Sequence, residues 1–295
     1  MAIITLTSDF GEKDHFVGAI KGAVYSELSD VKIVDISHFV SPFNISQAAY
    51  IIQNAYKSFP KESIHIIGVD SELNPENKHL AVKLDGHYFI CADNGILSML
   101  CNDITPEKIV EINIHDIVQS SFPVLDVFVK VACHLARGGK LDVIGKTIDA
   151  IKSTKNLAPF INEDKTQIIG NIIYIDNYGN VVTNIKQSFF ETIQKGRDFV
   201  IWARNNKFKT VYSKYSDVVN FDIPEDKRHD EGKGLVVFNS GSFLEIAVYR
   251  SNPNTVGTAS SLMGLDLMDT VTIDFIATPT LSKVIDQVGT LEGYK

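Results

Sequence analysis

Ile3-Ile4-Thr5-Leu6-Thr7-Ser8-Asp9-Phe10-Gly11 decides the fold class of this chain. An apolar run ends on a carboxylate and a glycine turn, and helical periodicity follows at Phe16, Ile20, Val24 and Leu28. Strand then helix opens an α/β domain, and the alternation continues. Residues 31–36 read as a second strand, 45–58 as a helix capped by Asn44 and stopped by Phe59-Pro60, and 63–69 as a third strand. Asp85-Gly86 joins 79–84 to 87–92 as a tight hairpin. Residues 94–100 read as a short helix, 110–114 as a strand, and 124–136 as a helix closed by Gly138-Gly139. The pattern predicts a mainly parallel sheet with helices on both faces, whose ligands sit beyond the carboxyl ends of the strands. Asp9, His38 and Asp70 each fall just past a strand end, so the three can line one crevice.

The texture changes near residue 150. Residues 151–166 are polar and irregular around Pro159 and read as a linker. Beyond it, β-branched and aromatic runs at 168–175, 180–185, 198–203, 207–212, 235–239, 243–249 and 270–275 are separated mostly by Gly, Asn or Pro. They predict a smaller all-β, barrel-like domain over 167–295, beside an α/β domain over 1–150.

Composition narrows the function classes. With 295 residues, 44% hydrophobic and 22% charged, the chain has the make-up of a soluble two-domain protein. A formal net charge of -8 without a basic stripe argues against a nucleic-acid partner. Lys227-Arg228-His229 sits among Asp226, Asp230 and Glu231 and reads as a solvated loop. Cys91, Cys101 and Cys133 have no metal spacing and leave an odd thiol, which suits a reducing cytoplasm and gives no expectation of a metal. No leader is evident, and no apolar stretch nears the ~20 residues of a membrane span.

A second motif, Ile175-Asp176-Asn177-Tyr178-Gly179-Asn180, again places an Asp after an apolar run and before a glycine turn. Taken alone, Asp9 caps the following helix, binds a ligand, or joins Asp14 and His15 on a metal. Asp176 makes an ordinary hairpin turn or binds a ligand. Phe43 fills the core or covers a ligand, His38 reads as structural, and His134 as surface or packing.

Together these stretches resemble the S-adenosylmethionine hydroxide adenosyltransferases, a family that includes the fluorinases and chlorinases. The resemblance runs through Thr7-Ser8-Asp9-Phe10-Gly11, Val17-Gly18 with Lys21-Gly22, Ile33-Val34-Asp35-Ile36-Ser37-His38 and Ala92-Asp93-Asn94-Gly95. It continues in the Asp176 motif with Thr183-Asn184, and in Asn239-Ser240 with Glu245-Ile246-Ala247. It implies a homotrimer with ligand sites between subunits, S-adenosylmethionine as substrate or ligand, and no cofactor or metal. By position, Asp9 would hold the ribose hydroxyls and Asp14 the methionine end, with Phe43 near the nucleoside. Asp176, Tyr178 and Asn180 would contact the methionine and adenine portions, and Asn239 and Ser240 the adenine edge. The residue types agree: a carboxylate accepts both hydrogens of a diol and favours a sulfonium or ammonium.

The catalytic region departs from the family. The hydroxide-using members position water with an Asp, an Arg and a His. Asp70 matches the first, but the Arg position is Asn77 and the His position is Pro123. The halogenase signature is also missing, since Asp70 stands where fluorinases have a tyrosine and Val124 where they have a halide-binding serine. Lys78, His79 and His65 are the candidate helpers. The expected activity is S-adenosylmethionine hydrolysis to adenosine and L-methionine, with Asp70 orienting water. The alternative is a catalytically silent adenosyl-binding protein.

Overall fold

Two Thr side chains in β1 (Ile3–Ser8) turn to one face and Ile4 and Leu6 to the other, so that strand is covered on both sides. The computed structural model describes residues 2–101, 104–114, 120–153, 158–228 and 232–276. The chain divides into two units, Met1–Asn156 and Leu157–Lys295.

In the first unit β1 leads to α1 (Phe16–Glu27), β2 (Lys32–Ser37), α2 (Ile45–Ala55) and β3 (Ile64–Gly68). The hairpin β4 (His79–Leu84) and β5 (His87–Ala92) precedes α3 (Ile96–Leu100), β6 (Lys108–Ile112), α4 (Val129–Ala136) and β7 (Gly145–Thr147). The sheet runs β2-β1-β3-β5-β4-β6-β7. β2, β1, β3 and β5 pair in parallel, and β4 and β7 run against the rest. Ile20 and Val24 of α1 and Val131, Ala132 and Leu135 of α4 cover one face; Ala48, Ala49 and Ile52 of α2 with Ile96 and Leu97 of α3 cover the other. The sheet is therefore mostly parallel, with helices on both faces, as the alternation predicts.

Two details depart from the sequence reading. Helix α1 starts at Phe16 with no side-chain cap, because the Gly11 turn (φ 66°) carries the chain past Asp9 and Asp14 first. Residues 124–136 begin with a π-helical turn, Val124–Phe128, before α4, a distortion that recurs at functional sites. The hairpin is as read: Asp85 (φ 49°) and Gly86 (φ 70°) form its two-residue turn, with Leu84 opposite His87.

Beneath this sheet His65 is 1% exposed, with Nδ1 2.7 Å from Thr5 Oγ1 and Nε2 3.2 Å from His87 Nδ1. Burial, aided by His87, pushes the His65 imidazole down to about 3. Unfolding returns it to an ordinary value of about 6.5, so between those values the unfolded chain binds the extra proton and stability is lost as pH falls. Full protonation is expected to cost about 4–5 kcal/mol. Urea denaturation between pH 7 and pH 4 should show this slope, and His65→Gln should flatten it.

The second unit is built on β8 (Phe160–Ile161), β9 (Gln167–Ile175), β10 (Val181–Lys186), α5 (Gln187–Gln194), β11 (Phe199–Ala203) and β12 (Asn206–Phe208). It is completed by β13 (Gly234–Phe238), β14 (Phe243–Val248), α6 (Ala259–Met263) and β15 (Thr270–Phe275). The antiparallel order is β12-β11-β15-β9-β10-β14-β13, with β8 beside β9. A bridge between Tyr212 and Val237 links the chain after β12 to β13, which nearly closes the sheet into a barrel around Ile168, Ile185, Ile201, Leu244 and Ile273. Strand β8 lies inside the stretch read as linker, and α5 and α6 fall where only strands and turns are expected from the sequence. Among the described residues no helix is long and apolar enough to cross a membrane.

Candidate functional site

Strand order reverses at β1, which has β2 on one side and β3 on the other. Such a switch point opens a crevice beyond the carboxyl ends of the flanking strands. Asp9 follows β1 and Asp70 lies two residues beyond β3, so the fold puts both carboxylates at this crevice. Phe10 packs against Phe16 and Phe122 at ring distances of 5.7 and 5.4 Å. A Cβ on Gly68 would come 3.0 Å from the Phe10 ring and 3.1 Å from Val124, so the end of β3 packs tightly against this cluster and a side chain there would push on both.

Asp9 Oδ2 accepts the Phe43 amide at 2.8 Å. It therefore ties the β1 end to the 39–44 loop and does not cap α1. Phe43 holds a left-handed backbone (φ 61°) and is 74% exposed, a placement that suits a cover better than a core filler. Asp14 is exposed. The loop is supported from behind: His38 Nδ1 lies 2.7 Å from Ser8 Oγ, and the Gly11 amide donates to the His38 carbonyl at 2.8 Å. His38 Nε2 lies 3.1 Å from Asp35 Oδ1. Burial raises the Asp35 carboxyl, but hydrogen bonds and charge from Lys21 and His38 outweigh it and hold the group below its ordinary value. His38 is thus a buried brace, in line with its structural reading.

Asp70 is partly exposed in a left-handed backbone (φ 46°), and among the described residues no hydrogen bond or ion pair engages its carboxylate. Its main chain is held by Asn94, whose Nδ2 donates to the carbonyls of Val69 at 3.0 Å and Asp70 at 3.1 Å. His79 is 1% exposed and its Nε2 donates to the Ser71 carbonyl at 2.9 Å, which makes it a brace of the loop. His65 is committed to Thr5 and His87. Lys78 is exposed. The cation that reaches Asn77 is Lys152, with Nζ 3.1 Å from Asn77 Oδ1 and its own amide on Asp93 Oδ1 at 2.9 Å. Burial pushes the Asp93 carboxyl up, against the opposing contribution of the Lys152 amide. Nothing in the sequence pairs Lys152 with Asn77, which are 75 residues apart.

In the second unit Asp176 Oδ1 accepts the amides of Tyr178 and Asn180, each at 2.8 Å, and its Oδ2 accepts Asn180 Nδ2 at 3.1 Å. The motif is therefore a self-bonded turn that presents Tyr178, 63% exposed, to solvent. Gly179 (φ 72°) is required here, since a Cβ would lie 2.4 Å from Thr258. Buried Glu245 accepts Tyr215 OH at 2.7 Å and Asn239 Nδ2 at 3.1 Å. Asn239 Oδ1 in turn accepts the amides of Gly241 and Phe243. Burial, with Asp176 nearby, pushes the Glu245 carboxyl up against the hydrogen bonds of Tyr215, Asn239 and Asn180. Asp176, Asn180 and Asn239 thus meet around Glu245, with the Oδ1 of buried Asn180 unpaired among the described residues, while Ser240 is exposed on the β13–β14 hairpin. Among the described residues no group of three or more His, Cys, Asp and Glu is placed to hold a metal ion.

Known proteins resemble this chain along nearly its whole length. Residues 4–145 match the SAM hydroxide adenosyltransferase N-terminal domain, and residues 170–272 its C-terminal domain. A relative from Methanocaldococcus jannaschii, named (R)-S-adenosyl-L-methionine hydrolase, is 30% identical over 92% of this chain and 95% of its own. A fluorinase from Actinopolyspora mzabensis is 22% identical over 83% of this chain and 90% of its own. A solved structure of an uncharacterized conserved protein from Thermotoga maritima superposes with a TM-score of 0.77 at 28% identity, covering 93% of this chain and all of that one. By both of its domains and by its full-length relative, the chain belongs to the SAM hydroxide adenosyltransferase family.

Proposed function

We propose that the protein hydrolyses S-adenosylmethionine to adenosine and L-methionine, and that its substrate is the (R)-sulfonium epimer named for its relatives. The observation that carries this reading is the near full-length match to an (R)-S-adenosyl-L-methionine hydrolase, with Asp70 on the loop after β3 supporting it as the water-orienting carboxylate. Attack by water forms the C5′–O bond as C5′–S breaks, the electron pair passes to sulfur, and the sulfonium charge is cancelled. The water proton leaves to solvent. Such a reaction needs an oriented nucleophile more than an oxyanion hole. Asp70 accepts a hydrogen of the attacking water and aims its oxygen. Asp9 takes the ribose hydroxyls and Asp14 the methionine end, with Phe43 over the nucleoside. Asp176, Tyr178 and Asn180 contact the methionine and adenine portions, and Asn239 and Ser240 the adenine edge. No cofactor takes part. We further read the protein as a cytoplasmic homotrimer, as the family resemblance implies.

Incubation with S-adenosylmethionine of mixed sulfur configuration tests the reading. Adenosine and L-methionine should appear in equal amounts as the (R) epimer is consumed; consumption of the (S) epimer instead would overturn the choice of substrate. Asn77 and Pro123 favour the second reading, a silent adenosyl-binding protein, for which ligand is retained and no adenosine is released.

In the hydrolase reading Lys152 brings positive charge to Asn77, where the family's arginine is missing. Its backbone N–H donates to Asp93 Oδ1 whether the side chain is Lys, Met or Arg, so these substitutions isolate the ammonium. Lys152→Met is expected to lower kcat about tenfold, roughly 1.4 kcal/mol of barrier, and Lys152→Arg to retain most of the rate. Steady-state kinetics of the two variants checks this.

A further inference from the structure

Asn94 lies in the turn between β5 and α3. We infer that Asn94 is a positioning residue for Asp70, setting the direction of its carboxylate through the main chain; this rests on the hydrolase reading above. The amide has two N–H donors, and the carbonyls of Val69 and Asp70 accept from it at 3.0 and 3.1 Å. Its Oδ1 accepts the Ile96 amide at 3.1 Å, which fixes the side chain to the start of α3 and sets which way the amide faces. The residue is 6% exposed, so these bonds do not compete with bulk water.

The grip falls where the chain needs it. Asp70 sits in a left-handed backbone (φ 46°), a conformation that aspartate tolerates at a cost and that the Asn94 bonds hold in place. The preceding residue of the turn grips the other end of the same loop: the Asp93 amide donates to the Lys78 carbonyl at 2.7 Å. His79 adds its bond to the Ser71 carbonyl. Residues 69–78 are thus fastened at both ends by Asp93-Asn94, and the Asp70 side chain projects from the fastened end.

A double-mutant cycle tests the assignment. Asn94→Ala is expected to lower kcat ten- to a hundredfold and to change KM for S-adenosylmethionine less than threefold, but to do nothing further in the Asp70→Asn background. Asn94→Asp keeps the shape and the acceptor for Ile96 while setting an oxygen against the two carbonyls, and it should lose rate as the alanine does. An unchanged kcat, or the same fractional loss with and without Asp70, would overturn the inference. Hydrogen exchange of peptides covering 69–73 reads the same clamp without turnover: exchange should speed at least tenfold in both Asn94 variants while the second unit is unchanged. If the wild type releases no adenosine, the hydrolase reading falls, and unaltered exchange would separately remove the clamp.

Discussion

Asp70→Asn is expected to lower adenosine formation about a hundredfold or more while leaving substrate binding nearly unchanged, the effect of losing a group that orients a reacting proton. Asparagine is almost the same shape and, like aspartate, tolerates the left-handed backbone found at φ 46°. The loop bonds from Asn94 go to main-chain carbonyls and persist in the variant. What disappears is the charge and one acceptor oxygen of a carboxylate that no described residue engages. Steady-state turnover together with calorimetric binding of S-adenosylmethionine separates the two effects. An unchanged kcat would reduce Asp70 to a turn residue.

Asp9→Ala is expected to give the opposite split. A carboxylate hydrogen bond contributes about 1.5–3 kcal/mol, so losing the bonds to the ribose diol should weaken binding about a hundredfold or more. The variant also frees the Phe43 amide, which Asp9 accepts at 2.8 Å, so the exposed Phe43 ring loses its tether. Asp9→Asn keeps one acceptor and should fall between. Calorimetry with adenosine reads both variants, and 2′,3′-dideoxyadenosine, which lacks both hydroxyls, should bind the wild type and Asp9→Ala with similar weakness. Equal adenosine affinity in the wild type and Asp9→Ala would mean that this carboxylate only shapes the loop.

Local signals made most of the fold legible. The 3.6-residue spacing through Phe16, Ile20 and Val24 marks α1 because Ile20 and Val24 join Ile4, Leu6 and Ile64 in one core cluster while Phe16 packs on Phe10 and Phe122. Asp85-Gly86 gave the hairpin because both residues adopt positive φ. The start of α1 was not legible, since the uncapped turn after Gly11 leaves no sequence signature. Helix α5 escaped because its eight residues carry Phe189, Phe190 and Ile193 in a pattern too short to separate from a strand.

The site divides along the same line. Carboxylates at strand ends, Asp9 and Asp70, are visible because each follows an apolar strand run, β1 or β3. Their supports are not, because Asn94 reaches Asp70 across 24 residues and Lys152 reaches Asn77 across 75, distances at which spacing carries no information. His79 looked available for proton transfer only because sequence does not show its ring turned inward onto the Ser71 carbonyl. Glu245 carries no signal of its role in the sequence, since its burial beneath Tyr215 and Asn239 depends on β13 and β14 pairing.

The most direct test of the account is a reaction with S-adenosylmethionine in ¹⁸O-labelled water, followed by mass analysis of both products. The account predicts one heavy oxygen in adenosine, at the 5′ position, and none in methionine, with the labelled product lost in Asp70→Asn. Intact ligand recovered from the protein, or adenosine formed without the label, would contradict it.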